Sequence, residues 1–99
     1  MTKIGLRAHL EARPERAEEL AQLLTGALEL ARAERATVTW YAFREGPTTF
    51  GIFDTFEGEE GREAHLNGAI AQALMERAPE LLAAAPQIIK VDVLAAKAG

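Results

Sequence analysis

Hydrophobic and polar residues alternate from Lys3 to Glu11. Ile4, Leu6, Ala8 and Leu10 fall on one side, and Lys3, Gly5, Arg7, His9 and Glu11 on the other. A period of two predicts a half-buried strand. From Arg13 to Arg35 the spacing becomes helical: Ala17, Leu20, Leu24, Ala27, Leu28 and Ala31 form one stripe, widened by Leu23. Pro14 suits the first helical position, where a missing N–H costs nothing. Glu15, Glu18 and Glu19 favour the positive end of the helix dipole, and Arg32 and Arg35 the negative end. Two runs, ATVTWYAFR and TTFGIFDTF, then flank the turn signal Glu45-Gly46-Pro47 and predict a β-hairpin. GEEGREAHLN starts a second helix, with a left-handed stop expected at Asn67-Gly68. AIAQALMER resumes the helix, Pro79 is expected to open a last helical turn, and PQIIKVDVLAAK reads as a closing strand.

The resulting order, β-α-β-β-α-β, is the ferredoxin-like split βαβ pattern: an α+β fold with an antiparallel four-stranded sheet covered by helices on one face. All six aromatic residues lie in the hairpin. A turn centred on Gly46-Pro47 pairs Trp40 with Phe53 and Ala42 with Gly51 on one face. On the other it pairs Phe43 with Phe50, Tyr41 with Ile52, and Thr39 with Asp54. Both faces are then apolar. One meets the helices. The other needs a partner, and a second copy of the sheet is the simplest, which predicts a face-to-face homodimer.

Composition narrows the function. Ninety-nine residues predict one domain spanning 1–99. The absence of cysteine excludes disulfides and thiolate chemistry. A formal net charge of −4 with no basic stripe argues against nucleic acid. The early charges of MTKIGLRAHLEARPER do not fit a signal peptide, and no apolar run nears the ~20 residues of a membrane span, so a cytoplasmic location is expected. His9 and His65 have no nearby companions, so no metal site is expected; no glycine-rich phosphate loop signals nucleotide or flavin, and no cofactor is predicted.

The stretch TFGIFDTFEGEEGREAHLNG resembles the antibiotic biosynthesis monooxygenase superfamily, which includes quinol monooxygenases. The shared pattern is an aromatic-x-aliphatic-aromatic-acidic-x-aromatic strand, with a histidine eleven residues after the acidic position. Here it is read as Phe50, Ile52, Phe53, Asp54, Phe56 and then His65. The family more often has glutamate where Asp54 stands, and often tryptophan at Phe56. The resemblance implies a dimeric α/β barrel, with a pocket between sheet and helices in each subunit. Relatives oxygenate anthrones or quinols with O₂ and neither metal nor flavin; others degrade haem, typically with a tryptophan at the position of Phe56.

Such chemistry needs an apolar pocket, a base and a donor for a developing oxyanion. His65 is the candidate base, as a neutral imidazole, and Asp54 the acidic partner that would fix its tautomer. Their plainer readings are a helix-terminal histidine that caps a carbonyl or bonds Asp54, and a strand-end carboxylate paired with Lys3 or Arg7. Trp40, Phe53 and Phe56 are candidate substrate contacts, with core packing as the alternative; glycine at Gly51 suggests close approach of a helix. Arg7 and His9 face away from Ile4, Leu6 and Ala8 and are candidate polar contacts to a substrate, or interface ion pairs. The expected function is cofactor-independent oxygenation of a small quinol- or anthrone-like aromatic. The alternative is a non-catalytic dimeric barrel that binds a small apolar molecule or serves structure alone.

Overall fold

The computed structural model describes residues 3–97. Strand β1 (Ile4–Glu11) leads through a 3₁₀ turn (Pro14–Arg16) into α1 (Ala17–Gly26) and α2 (Leu28–Ala33). The hairpin β2 (Thr37–Arg44) and β3 (Thr49–Phe56) follows, then α3 (Glu59–Leu66), α4 (Ala69–Leu81) and β4 (Gln87–Asp92). The sheet is antiparallel in the order β2-β3-β1-β4, as the split βαβ pattern requires. Its helix-facing side buries Leu6, Ala8 and Leu10 of β1 and Phe50, Ile52 and Phe56 of β3. Leu20, Leu24, Leu74 and Leu81 close this core from the helices.

The hairpin register differs from expectation by one residue. Tyr41 pairs with Phe53, Trp40 with Asp54, Ala42 with Ile52, and Phe43 with Gly51. The loop is the odd-numbered Gly46-Pro47-Thr48, because Glu45 N–H already donates to the Thr49 carbonyl. Thr48 is held out of the pairing: its hydroxyl donates to Glu11 Oε2 at 2.6 Å, and its carbonyl accepts from Ala12 N–H. A slip of one moves every β3 side chain to the opposite face. Phe50 and Ile52 therefore join the helix-facing core, and Phe53 and Gly51 turn to the open face. Gly51 is not approached by a helix. The Phe43 ring covers it so closely that an added Cβ would sit 2.3 Å from Phe43 Cζ.

The helices depart from expectation at three points. The first is interrupted at Gly26-Ala27, where glycine has weak helix propensity and the Thr25 hydroxyl bonds back to the Ala21 carbonyl. Beyond the break α2 buries only Ala31, and Leu28 is exposed. The stop at Asn67-Gly68 is real but not left-handed: Asn67 has φ −104°, and its side-chain amide caps the Glu63 carbonyl. Pro79 lies within the continuous α4 rather than opening a turn; its carbonyl accepts from the Arg13 guanidinium.

Candidate functional site

Asp54 sits on the inner strand β3, between Leu6 of β1 and Trp40 of β2, and is 1% exposed. After Phe56 the chain turns at Gly58 into α3, which lies against the sheet and brings His65 over Asp54. His65 Nε2 stands 2.9 Å from Asp54 Oδ2. Its Nδ1 stands 2.6 Å from Oε1 of Glu34, which follows α2 in extended conformation. Thr37 Oγ1 donates to the same Glu34 oxygen at 2.7 Å. Gly68 permits this approach, since a Cβ there would lie 3.2 Å from Glu34 Oε2. The Phe56 ring, fully buried, lies 5.4 Å from the His65 ring, a favourable distance for an aromatic face beside a cation.

Two carboxylates thus hold one imidazole. Burial alone would lower the His65 pKa. The hydrogen bonds to Asp54 and Glu34, reinforced by their charges, outweigh burial and raise it to about 9. His65 is therefore an imidazolium at neutral pH, with both nitrogens donating. The neutral, proton-accepting ring expected from the sequence is not what this geometry supports. Three buried atoms nearby have no hydrogen-bond partner among the described residues: Glu34 Oε2, Trp40 Nε1 and Asp54 Oδ1. Buried polar atoms are rarely left unpaired.

Next to this cluster lies an apolar cavity of about 260 Å³, between the α1–α2 break and α4, lined by Leu23, Gly26, Leu30, Ile52, Ile70 and Leu74 among others. A smaller cavity of about 40 Å³ is lined by Asp54 and His65. Ile52, Ile70 and Leu74 line both, so the larger space adjoins the charged cluster through a common wall. Trp40 packs against the cluster formed by Ala27, Ala31 and Ile70.

The candidate residues separate by face. His65, Asp54, Phe56 and Trp40 share the helix-facing side, although Phe56 packs on His65 and neither Phe56 nor Trp40 lines either cavity. Phe53, Arg7 and His9 lie on the open face, where Arg7 pairs with Phe53 and His9 with Gly51. They cannot reach the cavities of their own chain, and Arg7 is not the partner of Asp54. Glu34 is the residue that pattern alone did not reveal. It lay inside a run read as the end of one long helix, and its contact to His65 spans 31 positions. Among the described residues no group of three His, Cys, Asp or Glu side chains is arranged to hold a metal, and no helix is long and apolar enough to cross a membrane.

No family model and no curated protein matches the chain. Among solved structures, a protein of unknown function from Nitrosomonas europaea, NE2512, is 52% identical, with a TM-score of 0.97 over 100% of this chain and 96% of that one. A "putative antibiotic biosynthesis monooxygenase" from Caulobacter crescentus is 18% identical, with a TM-score of 0.81 over 95% of this chain and 92% of that one. A second protein so described, from Nitrosomonas europaea, is 12% identical, with a TM-score of 0.83 over 93% of this chain and 99% of that one.

Proposed function

Because the chain belongs to the family of NE2512 and shares its fold with proteins described as antibiotic biosynthesis monooxygenases, we propose that it is a cofactor-independent oxygenase of a small quinol- or anthrone-like aromatic. The observation that carries this reading is the adjacency of an apolar cavity to the buried Asp54–His65–Glu34 cluster. A cavity of ~150 Å³ holds benzene; one of about 260 Å³ has room for more than one ring.

In this reading His65 and Asp54 act as a unit. Asp54 accepts a proton from an activated C–H or O–H of the substrate, leaving a carbanion or phenolate. The His65 imidazolium, hydrogen-bonded to the same carboxylate, stabilises the negative charge. O₂ then takes its electrons from the substrate. For an anthrone-type methylene, CH₂ plus O₂ gives C=O plus H₂O. The apolar walls keep bulk water from the reactive anion. The open face carries the second part of the proposal, a homodimer formed sheet to sheet through Tyr41, Phe43, Phe53 and Ile89.

Oxygen uptake with a panel of quinols and anthrones tests the enzyme reading. Uptake by the native protein and its loss in a folded His65→Ala variant are expected. No uptake above background across the panel overturns it. The alternative, a non-catalytic barrel that holds an apolar ligand, is favoured by one observation: both His65 nitrogens are already engaged.

A further inference from the structure

The segment after the Gly26-Ala27 break is lightly held. Helix α2 is six residues long and buries one side chain, Ala31. Leu28 and Leu30 are 38% and 39% exposed. The segment's buried apolar contacts are the methyls of Ala27 and Ala31, in a cluster with Ile70 of α4. Its charged side chains Glu29 and Arg32 pair with each other at 2.9 Å and with no other element among the described residues. At one end stands Gly26, where α1 stops and glycine gives the backbone freedom to pivot. At the other end the chain turns at residues 35–36 and is fixed again, since a Cβ on Gly61 of α3 would lie 3.0 Å from Ala36 Cβ. Between these points Glu34 Oε1 makes two contacts. One is to the Thr37 hydroxyl, three residues along; the other is to His65 Nδ1 of α3, at 2.6 Å. The second is the segment's one side-chain hydrogen bond to a distant element among the described residues, and the charge on His65 at neutral pH strengthens it. Glu34 Oε2 is buried without a partner among the described residues, and release would let water reach it, which lowers the cost of letting go.

The same segment borders the larger cavity. Gln22, Gly26 and Leu30 line that cavity and are also exposed, so they mark its mouth, and Leu30 stands on α2. We propose that residues 27–34 are a lid on this cavity, hinged at Gly26-Ala27 and latched by the Glu34–His65 bond. Opening carries Leu30 off the mouth and takes Glu34 from Nδ1, leaving His65 on Asp54 alone. Access to the cavity and the state of the charged cluster are then one event. Segments with few buried apolar contacts are the ones that open locally at least cost. Glu34 lines neither cavity and is a positioning residue: it acts through His65, by holding the lid down. The lid is a property of the fold alone; its use as a gate rests on the cavity being the ligand site.

Amide hydrogen exchange of the full chain at neutral pH tests the lid. The Ala31 and Glu34 amides, bonded to the Ala27 and Ala31 carbonyls, should exchange about tenfold or more faster than amides in the middle of α4. Glu34→Gln keeps the size of the side chain and removes its charge. It should speed the α2 amides by about a further tenfold while those of α4 and β1 stay unchanged. Stopped-flow binding of 1-naphthol, an apolar aromatic probe, reads the gate through the fluorescence of Trp40, the chain's one tryptophan. In Glu34→Gln the on- and off-rates should rise together with Kd little changed, whereas loss of a merely structural contact would change Kd. Amides of α2 protected as strongly as those of α4 in the native protein overturn the lid, and that comparison needs no variant. Exchange in α2 that Glu34→Gln leaves unchanged overturns the latch. Faster α2 exchange with unchanged 1-naphthol rates overturns the gate and supports the lid. Absence of 1-naphthol binding overturns the gate as well, while exchange still decides the lid and oxygen uptake the proposed function.

Discussion

The two faces of the sheet use aromatic residues in opposite ways. On the helix-facing side Phe50 and Phe56 are sealed, and the packing encloses a charged cluster that could not exist in water at the same strength. On the open face Tyr41 is 59% and Phe43 40% exposed, beside Phe53, Ile89 and the polar Arg7 and His9. One side is a finished core with a cavity in it. The other is an apolar surface of the kind that marks an interaction site. The proposed chemistry and the proposed assembly thereby fall on different faces of one sheet, separated by a single layer of backbone. A substitution that affects both would contradict that division.

The largest effect is expected from Asp54→Ala. It leaves a buried imidazolium facing one carboxylate instead of two, and breaking a buried pair costs about 3–5 kcal/mol. Urea denaturation should show a loss of that order, against a change within about 0.5 kcal/mol for Arg7→Ala on the open face. Similar losses in the two variants would mean that the faces are not energetically distinct.

Next comes the open face. Truncating a central aromatic of an interface typically costs about 2 kcal/mol, roughly thirtyfold in dissociation constant. Phe43→Ala should weaken self-association by at least that factor in light scattering, with little change in the Asp54–His65 cluster. A native protein that is monomeric at micromolar concentration would remove the dimer from the proposal altogether.

How far the sequence carries this division depends on the range of the contacts. Alternation from Ile4 to Leu10 placed β1 correctly, since a strand's faces follow from period two alone. The β-α-β-β-α-β order was equally legible from local patterns. The hairpin register was not. It turns on Thr48, whose place is set by hydrogen bonding to Glu11 on a strand 37 positions away. That one residue decides which aromatics line the core, so Phe53 was placed with Trp40 when it lies on the other face. The Asp54–His65 contact could be anticipated from the family motif. Glu34 could not, because its role depends on α2 ending before it and on Gly68 leaving room. The charge state of His65 rests on both carboxylates, Asp54 first and Glu34 second, so the sequence, which shows only Asp54, does not give it.

The third test is titration. The His65 pKa is raised above its usual value, so its contribution to stability is complete below about 6.5 and is lost as pH rises through about 9. The urea midpoint should fall across that window, and the fall should be absent in His65→Gln. A midpoint that stays flat across this window and drops only as pH falls below about 6.5 would show that the ring is buried neutral.

The smallest effect on stability, and the sharpest on ligand, is expected at Gly26. It closes α1 and lines the larger cavity, and a Cβ built there meets nothing within 4 Å. Replacing a helical glycine by a better helix former is worth up to about 1 kcal/mol, less at a helix end. Gly26→Ala should therefore leave stability unchanged or slightly raised, and should spare binding. Gly26→Leu adds an isobutyl group where the α1–α2 break gives onto the cavity, and should abolish 1-naphthol binding in calorimetry while the urea midpoint stays near that of Gly26→Ala. Self-association, proposed for the opposite face, should not move. Unimpaired binding in Gly26→Leu would place the ligand elsewhere, and a changed dimer constant would show that the two faces communicate through the sheet between them.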